Sequence, residues 1–257
     1  MAGFTISGLS KVYDGAVPVE TLSDINLTVQ DGEFLCILGP SGCGKSTLLE
    51  IMAGLQKPTR GEVLFGSKRL QGPDRKLGVV FQDPSLYPWR TVFQNVELGL
   101  EISGAGKQER RQKAERYLAM VGLRGFERKY PHHLSGGMRQ RAGLARALAN
   151  DPEVLLMDEP FGAVDHLTRL RLQDDLLTIW EAEKKTVVFI THDVSEAVFL
   201  GTRVVLLSPR PGRINSIFNI PHKRPRKRDD LELLAIQNNI YAAIHDIKTQ
   251  ADLEFTI

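Results

Sequence analysis

The chain has 257 residues, 42% of them hydrophobic and 25% charged, and 33 basic against 31 acidic side chains leave a net charge of +2. That length fits one large domain or two small ones with an ordinary buried core. The balanced charge argues against a nucleic-acid binder. No unbroken apolar run exceeds five residues, as in Phe34 to Leu38, against the roughly 20 needed for a membrane-spanning helix. The two cysteines, Cys36 and Cys43, are too few for a disulfide framework or a zinc cluster. The first residues lack the basic start and apolar stretch of a signal peptide, so export by the usual route is not expected.

In chain order, Phe4, Ile6 and Leu9, then Leu22, Ile25, Leu27 and Val29, are spaced as strands, with Asp31-Gly32 as a turn. Phe34 to Leu38 reads as a strand buried on both faces. A glycine-rich loop and a helix over Ser46 to Ala53 follow it. From about 92 to 150 the pattern is helical. Lys107 to Val121 carries five basic residues, with Tyr117, Leu118 and Val121 at helical spacing, and Leu144 and Leu148 among alanines mark another helix. Then come a strand over Val154 to Met157, a helix from about 166 to 184, a strand over Val187 to Ile190, a short helix and a strand over Val204 to Leu207. A strand-like stretch from Ile214 to Ile220 and a final helix complete the chain. This alternation predicts an α/β fold with a mostly parallel sheet covered on both faces.

The stretch Lys223 to Arg228 holds five basic residues in six. It reads either as a solvated loop before the final helix or as a contact for anionic lipid headgroups.

Gly39-Pro40-Ser41-Gly42-Cys43-Gly44-Lys45-Ser46-Thr47 fits G-x-x-x-x-G-K-[ST], after a buried strand and before a helix. Glycines let the backbone curl so that successive N–H groups face a polyphosphate, and the helix adds its partial positive charge. Lys45 supplies a point charge for the β- and γ-phosphates, Ser46 a hydroxyl for Mg²⁺, and Thr47 a reach to the α-phosphate. Cys43 reads either as a thiol activated at a helix start or as a small filler. Val154 to Met157 runs into Asp158 and Glu159, and ligands of parallel sheets gather at the carboxyl ends of strands. Asp158 is expected to organise the Mg²⁺ shell through water. Glu159 is expected to polarise an attacking water as general base.

Leu134-Ser135-Gly136-Gly137-Met138-Arg139-Gln140 reads on its own as a helix N-cap with free N–H groups, an anion site without a lysine. It also resembles the signature of ATP-binding-cassette (ABC) ATPases. The resemblance extends over nearly the whole chain, with further landmarks in order. Tyr13 resembles the aromatic that stacks on adenine. Gln82, in Val80-Phe-Gln-Asp83, resembles the glutamine joining the Mg²⁺ site to a transmembrane partner. Asp165, in Gly162-Ala-Val-Asp165, resembles the aspartate of the loop between subunits, and His192, in Ile190-Thr-His-Asp193, the switch histidine on the γ-phosphate.

The resemblance implies a P-loop NTPase fold with a mostly parallel core sheet, an N-terminal antiparallel β subdomain and a helical insert. On that pattern the chain is a single cassette. Residues 1–90 and 151–220 form the α/β core, about 91–150 the helical subdomain, and 221–257 the basic segment and C-terminal helix. It implies ATP and Mg²⁺ as ligands, with Ser46, Gln82 and Asp158 toward the metal and Glu159, His192 and Gln82 as the catalytic set. It also implies a head-to-tail homodimer in which Ser135, Gly136, Gly137, Gln140 and Asp165 reach the ATP of the other subunit.

A chain that cannot span a membrane must dock on a separate permease if it powers transport. Asp83 to Val96 offers Tyr87 and Trp89 in an expected surface loop. They read either as interface anchors or as internal caps of the helical subdomain. In the family, the segment of about 82–96 forms the permease's groove. The strings Leu86-Tyr-Pro-Trp-Arg-Thr-Val92, Asp158 to Asp165 and Ser208 to Ile214 resemble those of nitrate, sulfonate and taurine importers, and importers of thiamine precursors share similar strings. The reading is therefore a peripheral ATPase on the cytoplasmic face of the inner membrane, coupled through its permease to a periplasmic or lipoprotein solute-binding protein. The alternative is a soluble cassette ATPase of DNA repair, translation or iron–sulfur assembly, whose usual second cassette or coiled-coil insert is not visible. The signature argues against a kinase, and the lack of an N-K-x-D string against a GTPase.

Overall fold

The computed structural model describes residues 3–254. Met1 and Ala2, where the signal-peptide reading begins, and residues 255–257 of the C-terminal segment lie outside them. In chain order the elements are β1 (Phe4–Tyr13), β2 (Val19–Val29), β3 (Phe34–Leu38), α1 (Lys45–Met52), β4 (Arg60–Phe65), β5 (Lys68–Arg69), β6 (Leu77–Val80), α2 (Val92–Ile102), α3 (Lys107–Met120), α4 (Gly136–Ala149) and β7 (Val154–Asp158). They continue with α5 (His166–Glu183), β8 (Thr186–Ile190), α6 (Val194–Leu200), β9 (Arg203–Leu207), β10 (Ile214–Asn219) and α7 (Leu231–Glu254). Two compact units result. One takes the chain up to Asp74 and resumes at Thr186, and the other is Arg75–Lys185.

The first unit contains two sheets. An antiparallel sheet runs β2-β1-β4-β5. Phe4, Ile6 and Leu9 are all buried although the step from Ile6 to Leu9 breaks a strict period of two. A register shift between Ile6 and Leu9 accounts for it, since an extra residue in one strand turns the next side chain back to the same face. The second sheet runs β10-β9-β3-β8, with β3 parallel to both β8 and β9 and β10 antiparallel at its edge. Every residue of β3 and β8 is buried. Each fully buried Leu, Ile or Phe contributes roughly 1.5–3 kcal/mol relative to exposure, so these strands form the rigid base from which the loops at their carboxyl ends project. In α7, Leu233, Ile240 and Ile247 recur every seventh residue as its buried stripe.

The charge run before α7 is a loop, but its three arginines are not simply solvated. Arg226 is 8% exposed. Its guanidinium donates to the carbonyls of Val198 (2.8 Å), Phe199 (3.0 Å) and Gly201 (2.7 Å), and to those of Ile220 and His222. Arg224 donates to the carbonyls of Phe199 and Leu200. The Arg228 guanidinium lies 3.6 Å from the centroid of the Phe199 ring. These carbonyls end α6, where backbone acceptors lack helical partners and the helix dipole favours cations. Burial pulls the Arg226 pKa down to about 10. Of the five basic residues, only Lys223 and Lys227 are exposed.

In the second unit β6 pairs parallel to β7. Helices α2, α3 and α4 pack on one another. Thr91 and Gln94 close a reciprocal capping box at the start of α2. Val92, Val96 and Leu100 give that helix one buried face, and Ala142, Ala145 and Ala149 of α4 allow close approach. Leu172, Leu176 and Ile179 are the buried stripe of α5. Among the described residues, no helix is long and apolar enough to cross a membrane.

Candidate active site

The phosphate-binding loop joins β3 to α1 in the first unit. Gly44, at φ +103°, holds the left-handed turn into the helix, and a Cβ there would meet Leu22 Cδ2 at 2.7 Å, so only glycine fits. No side chain caps α1, which leaves its first N–H groups directed at whatever anion the loop takes. Lys45 is buried and donates to the carbonyls of Gly39 (2.8 Å) and Pro40 (3.0 Å), folding its ammonium back against the loop. Ser46 is exposed and Thr47 half-buried. The set of inward amides, one ammonium and two hydroxyls suits a polyphosphate. The Ser46 hydroxyl and the Asp158 carboxylate are hard oxygen donors of the kind Mg²⁺ takes.

Tyr13 hangs over the same helix. Its hydroxyl donates to Gln56 Oε1 at 2.9 Å and lies 3.3 Å from Thr47 Oγ1, while the Lys11 ammonium sits 5.0 Å from its ring centroid. Cys43 is 1% exposed, and burial pushes its thiol up despite the nearby Lys45 charge. The filler reading therefore holds over the activated thiol. Arg210, from the Ser208–Ile214 string, donates from Nε to the Gly42 carbonyl at 3.3 Å. His192 is an exposed residue on the turn between β8 and α6. Asp193 caps that helix, accepting from the N–H groups of Ser195 (2.8 Å) and Glu196 (3.2 Å).

The second unit carries the remaining candidates. Asp158 is the buried last residue of β7. Glu159 follows in the left-handed region at φ +43°, a conformation that costs free energy for any residue with a Cβ and recurs at functional turns. Gln140 is buried in α4 and bridges two loops. Its amide donates to the Gln82 carbonyl at 3.2 Å and accepts from the Ala163 N–H at 2.9 Å. Gln140 thus ties the loop of Gln82 to the segment between Glu159 and Asp165. Ser135 caps α4, accepting from the Met138 N–H at 3.3 Å. A Cβ on Gly137 would lie 2.8 Å from the Ala163 carbonyl, so glycine permits that approach. Gly136 is half-buried beside it. Asp165 caps α5, and hydrogen bonds from the Thr168 N–H and hydroxyl hold its carboxyl below the ordinary range.

The segment after Gln82 is rigidly built, although its sequence shows only turn residues. Asn95 is completely buried. It accepts from the Tyr87 N–H (2.8 Å) and donates to the carbonyls of Tyr87, Arg90 and Thr91. Arg146 of α4 donates to the carbonyls of Pro84 (2.7 Å) and Ser85 (3.0 Å). On this frame Tyr87 and Trp89 stack edge to face at 5.4 Å, and Trp89 is 71% exposed. That exposure excludes Trp89 as an internal cap. Tyr87 borders a cavity of about 520 Å³ lined also by Phe81, Leu98, Ile102, Arg146 and Ala147. No motif in the sequence marks Asn95, Arg146 or Gln56, and Arg210 is marked only as a member of the Ser208–Ile214 string. The capping pair Thr91 and Gln94, one turn from a polar residue amid apolar ones, is the signal by which Asn95 could have been found.

A family model described as ABC transporter matches residues 22–162. An uncharacterised ABC transporter ATP-binding protein of Methanocaldococcus jannaschii is 52% identical over 242 residues, which is 94% of this chain and 91% of that protein. The taurine import ATP-binding protein TauB of Yersinia pestis is 49% identical over 209 residues, 81% of each chain. TauB of Roseobacter denitrificans is 45% identical over 223 residues, covering 86% of this chain and 83% of that protein. A dimeric post-hydrolysis ATP-binding cassette bound to ADP and Pi superposes with a TM-score of 0.80 at 35% identity, covering 86% of this chain and 100% of that chain. With its nucleotide loop, its acidic strand end and its capped signature helix all in place, the chain belongs to the ABC transporter family and is one of its P-loop ATPase cassettes.

Proposed function

We propose that this chain is the ATP-hydrolysing subunit of a bacterial ABC importer for a small anion of the nitrate, sulfonate or taurine kind. It works as a homodimer on the cytoplasmic face of the inner membrane, beneath a separate permease fed by a solute-binding protein. The observation that carries the importer reading is the 45–49% identity to two proteins named for taurine import, over four-fifths or more of the chain. The rigid aromatic loop after Gln82 supports it, because it offers a permease a preformed surface.

In this reading Lys45 and the N–H groups of the phosphate loop grip the phosphates, and Tyr13 stacks on the adenine. Ser46, Gln82 and Asp158, the last through water, would hold Mg²⁺, which when bound offsets phosphate charge in the transition state. Glu159 accepts the proton of the attacking water, and His192 holds the γ-phosphate in line. Ser135 and Gly137 of the partner subunit close each site, and Asp165 lies at the seam between subunits. Gln140 keeps the loop of Gln82 in register with the Asp165 loop. The 83–96 segment carries the motion to the permease.

The test is Glu159→Gln, which keeps shape and removes the base. It should bind ATP, form a stable ATP-dependent dimer and lose about 10²–10⁴ in turnover. Near-normal turnover would falsify the assignment of Glu159.

A further inference from the structure

Helix α6 carries a buried carboxylate that the reaction as described does not use. Glu196 is 7% exposed and Thr191 2% exposed. The Thr191 hydroxyl donates to Glu196 Oε2 at 2.5 Å and accepts from the Asp193 N–H at 3.1 Å. Thr191 and Asp193 flank His192, so one hydroxyl pins the backbone on both sides of the imidazole. A hydroxyl has a single proton, and an ionised carboxylate can only accept. Glu196 therefore fixes the direction of that proton and leaves the hydroxyl lone pair for the Asp193 N–H. An amide at position 196 could donate as well as accept, and the direction would be lost.

This anchor is useful only if α6 itself is held. Seven residues form too short a helix to stand alone. Its far end is gripped by Arg226 and Arg224 through the carbonyls of Val198, Phe199, Leu200 and Gly201. The Thr191 N–H also reaches the Ile37 carbonyl of β3 at 3.3 Å. The helix is thus clamped at its C-terminal end by the segment after β10 and at its N-terminal end by the Glu196–Thr191 pair.

We propose that Glu196 is a positioning residue for His192, fixing through Thr191 the turn that presents the imidazole to the γ-phosphate, on an α6 anchored by Arg226. This rests on the role given to His192 above. A displaced catalytic group costs rate before it costs binding, and a misplacement of about 1 Å is worth on the order of 10²-fold.

The experiment is a double-mutant cycle in single-turnover ATP hydrolysis by the full chain, with ATP affinity measured alongside. Glu196→Gln should lower the hydrolysis rate by about 10–10²-fold with ATP affinity nearly unchanged. The same substitution in a His192→Ala background should cost nothing more. Equal losses in both backgrounds, or no loss in the wild-type background, overturn the proposal. Full turnover by His192→Ala overturns the role of His192, and the positioning role with it. A loss in His192→Ala without one in Glu196→Gln overturns the positioning role alone. Should Glu196→Gln fail to fold, Thr191→Val, which removes the hydroxyl at nearly constant shape, carries the same cycle with the same expected outcome.

Discussion

At the scale of single residues, the phosphate loop separates chemistry from packing. Lys45 and Cys43 lie two positions apart and both are buried. Lys45 keeps its charged end on loop carbonyls, whereas Cys43 turns its sulfur into the wall, where a Cβ on Gly39 would meet it at 2.8 Å. A helix start lowers a thiol pKa only where the thiolate can be solvated or paired. Here burial outweighs the Lys45 charge, and the thiol stays protonated near neutral pH. Cys36 is more deeply enclosed, and burial, with the charge of Glu196 added, raises it further. Native protein near neutral pH should therefore resist iodoacetamide at both positions, while unfolded protein should take up two equivalents, counted by intact mass. Raising the pH should speed the native reaction only as the thiolate appears, above the ordinary cysteine range. Rapid native labelling of Cys43 near neutral pH would show that the loop opens and that its thiol is reactive.

At the scale of elements, what the sequence disclosed depended on whether a signal was local. β3, β7, β8 and β9 are built on short apolar runs, and although burial on both faces removes the alternation that marks a strand, their length is too short for a helix. β4 is hard to see because Arg60–Phe65 buries only Val63 fully and draws its pairing from β1. The arginines at 224, 226 and 228 spell a solvated run, yet Arg224 and Arg226 reach carbonyls about 25 residues upstream and Arg228 covers the Phe199 ring, a relation no local pattern carries. The segment after Gln82 lies between these cases. Its aromatics were legible, but the burial of Asn95 that makes the loop rigid was not. Since Trp89 is mostly exposed, Trp89→Ala should leave the melting temperature unchanged. As a central anchor it should cost about 2 kcal/mol or more in permease docking, roughly thirtyfold in affinity. Pull-down of membrane partners by the full-length variant reads this directly. Undiminished recovery of the permease would move the docking surface elsewhere.

At the scale of the whole molecule, the near-neutral charge and the inward-turned arginines mean that the anion-binding capacity is local. In the proposed site it resides in the uncapped start of α1 with Lys45, and in the N–H groups around Ser135, which have no lysine of their own. An anion site without a lysine is suited to complete a site held by another group, and a closed pair of identical chains arranged loop to signature would supply two such completions. That arrangement, which the proposed homodimer requires, can be tested without any permease. A Lys45→Ala chain has a spoiled loop and an intact signature. A Ser135→Arg chain has the reverse, at the cost of one helix cap worth about 1 kcal/mol. Each alone forms dimers in which every site has one spoiled half, so each should be nearly inactive. Mixed, they should form hybrids with one wholly intact site and one doubly spoiled. Random pairing makes about half of the dimers hybrids, each with one working site of two, so hydrolysis should recover to roughly a quarter of the wild-type rate per chain. If each chain instead completed its own site, the mixture would be as inactive as its parts.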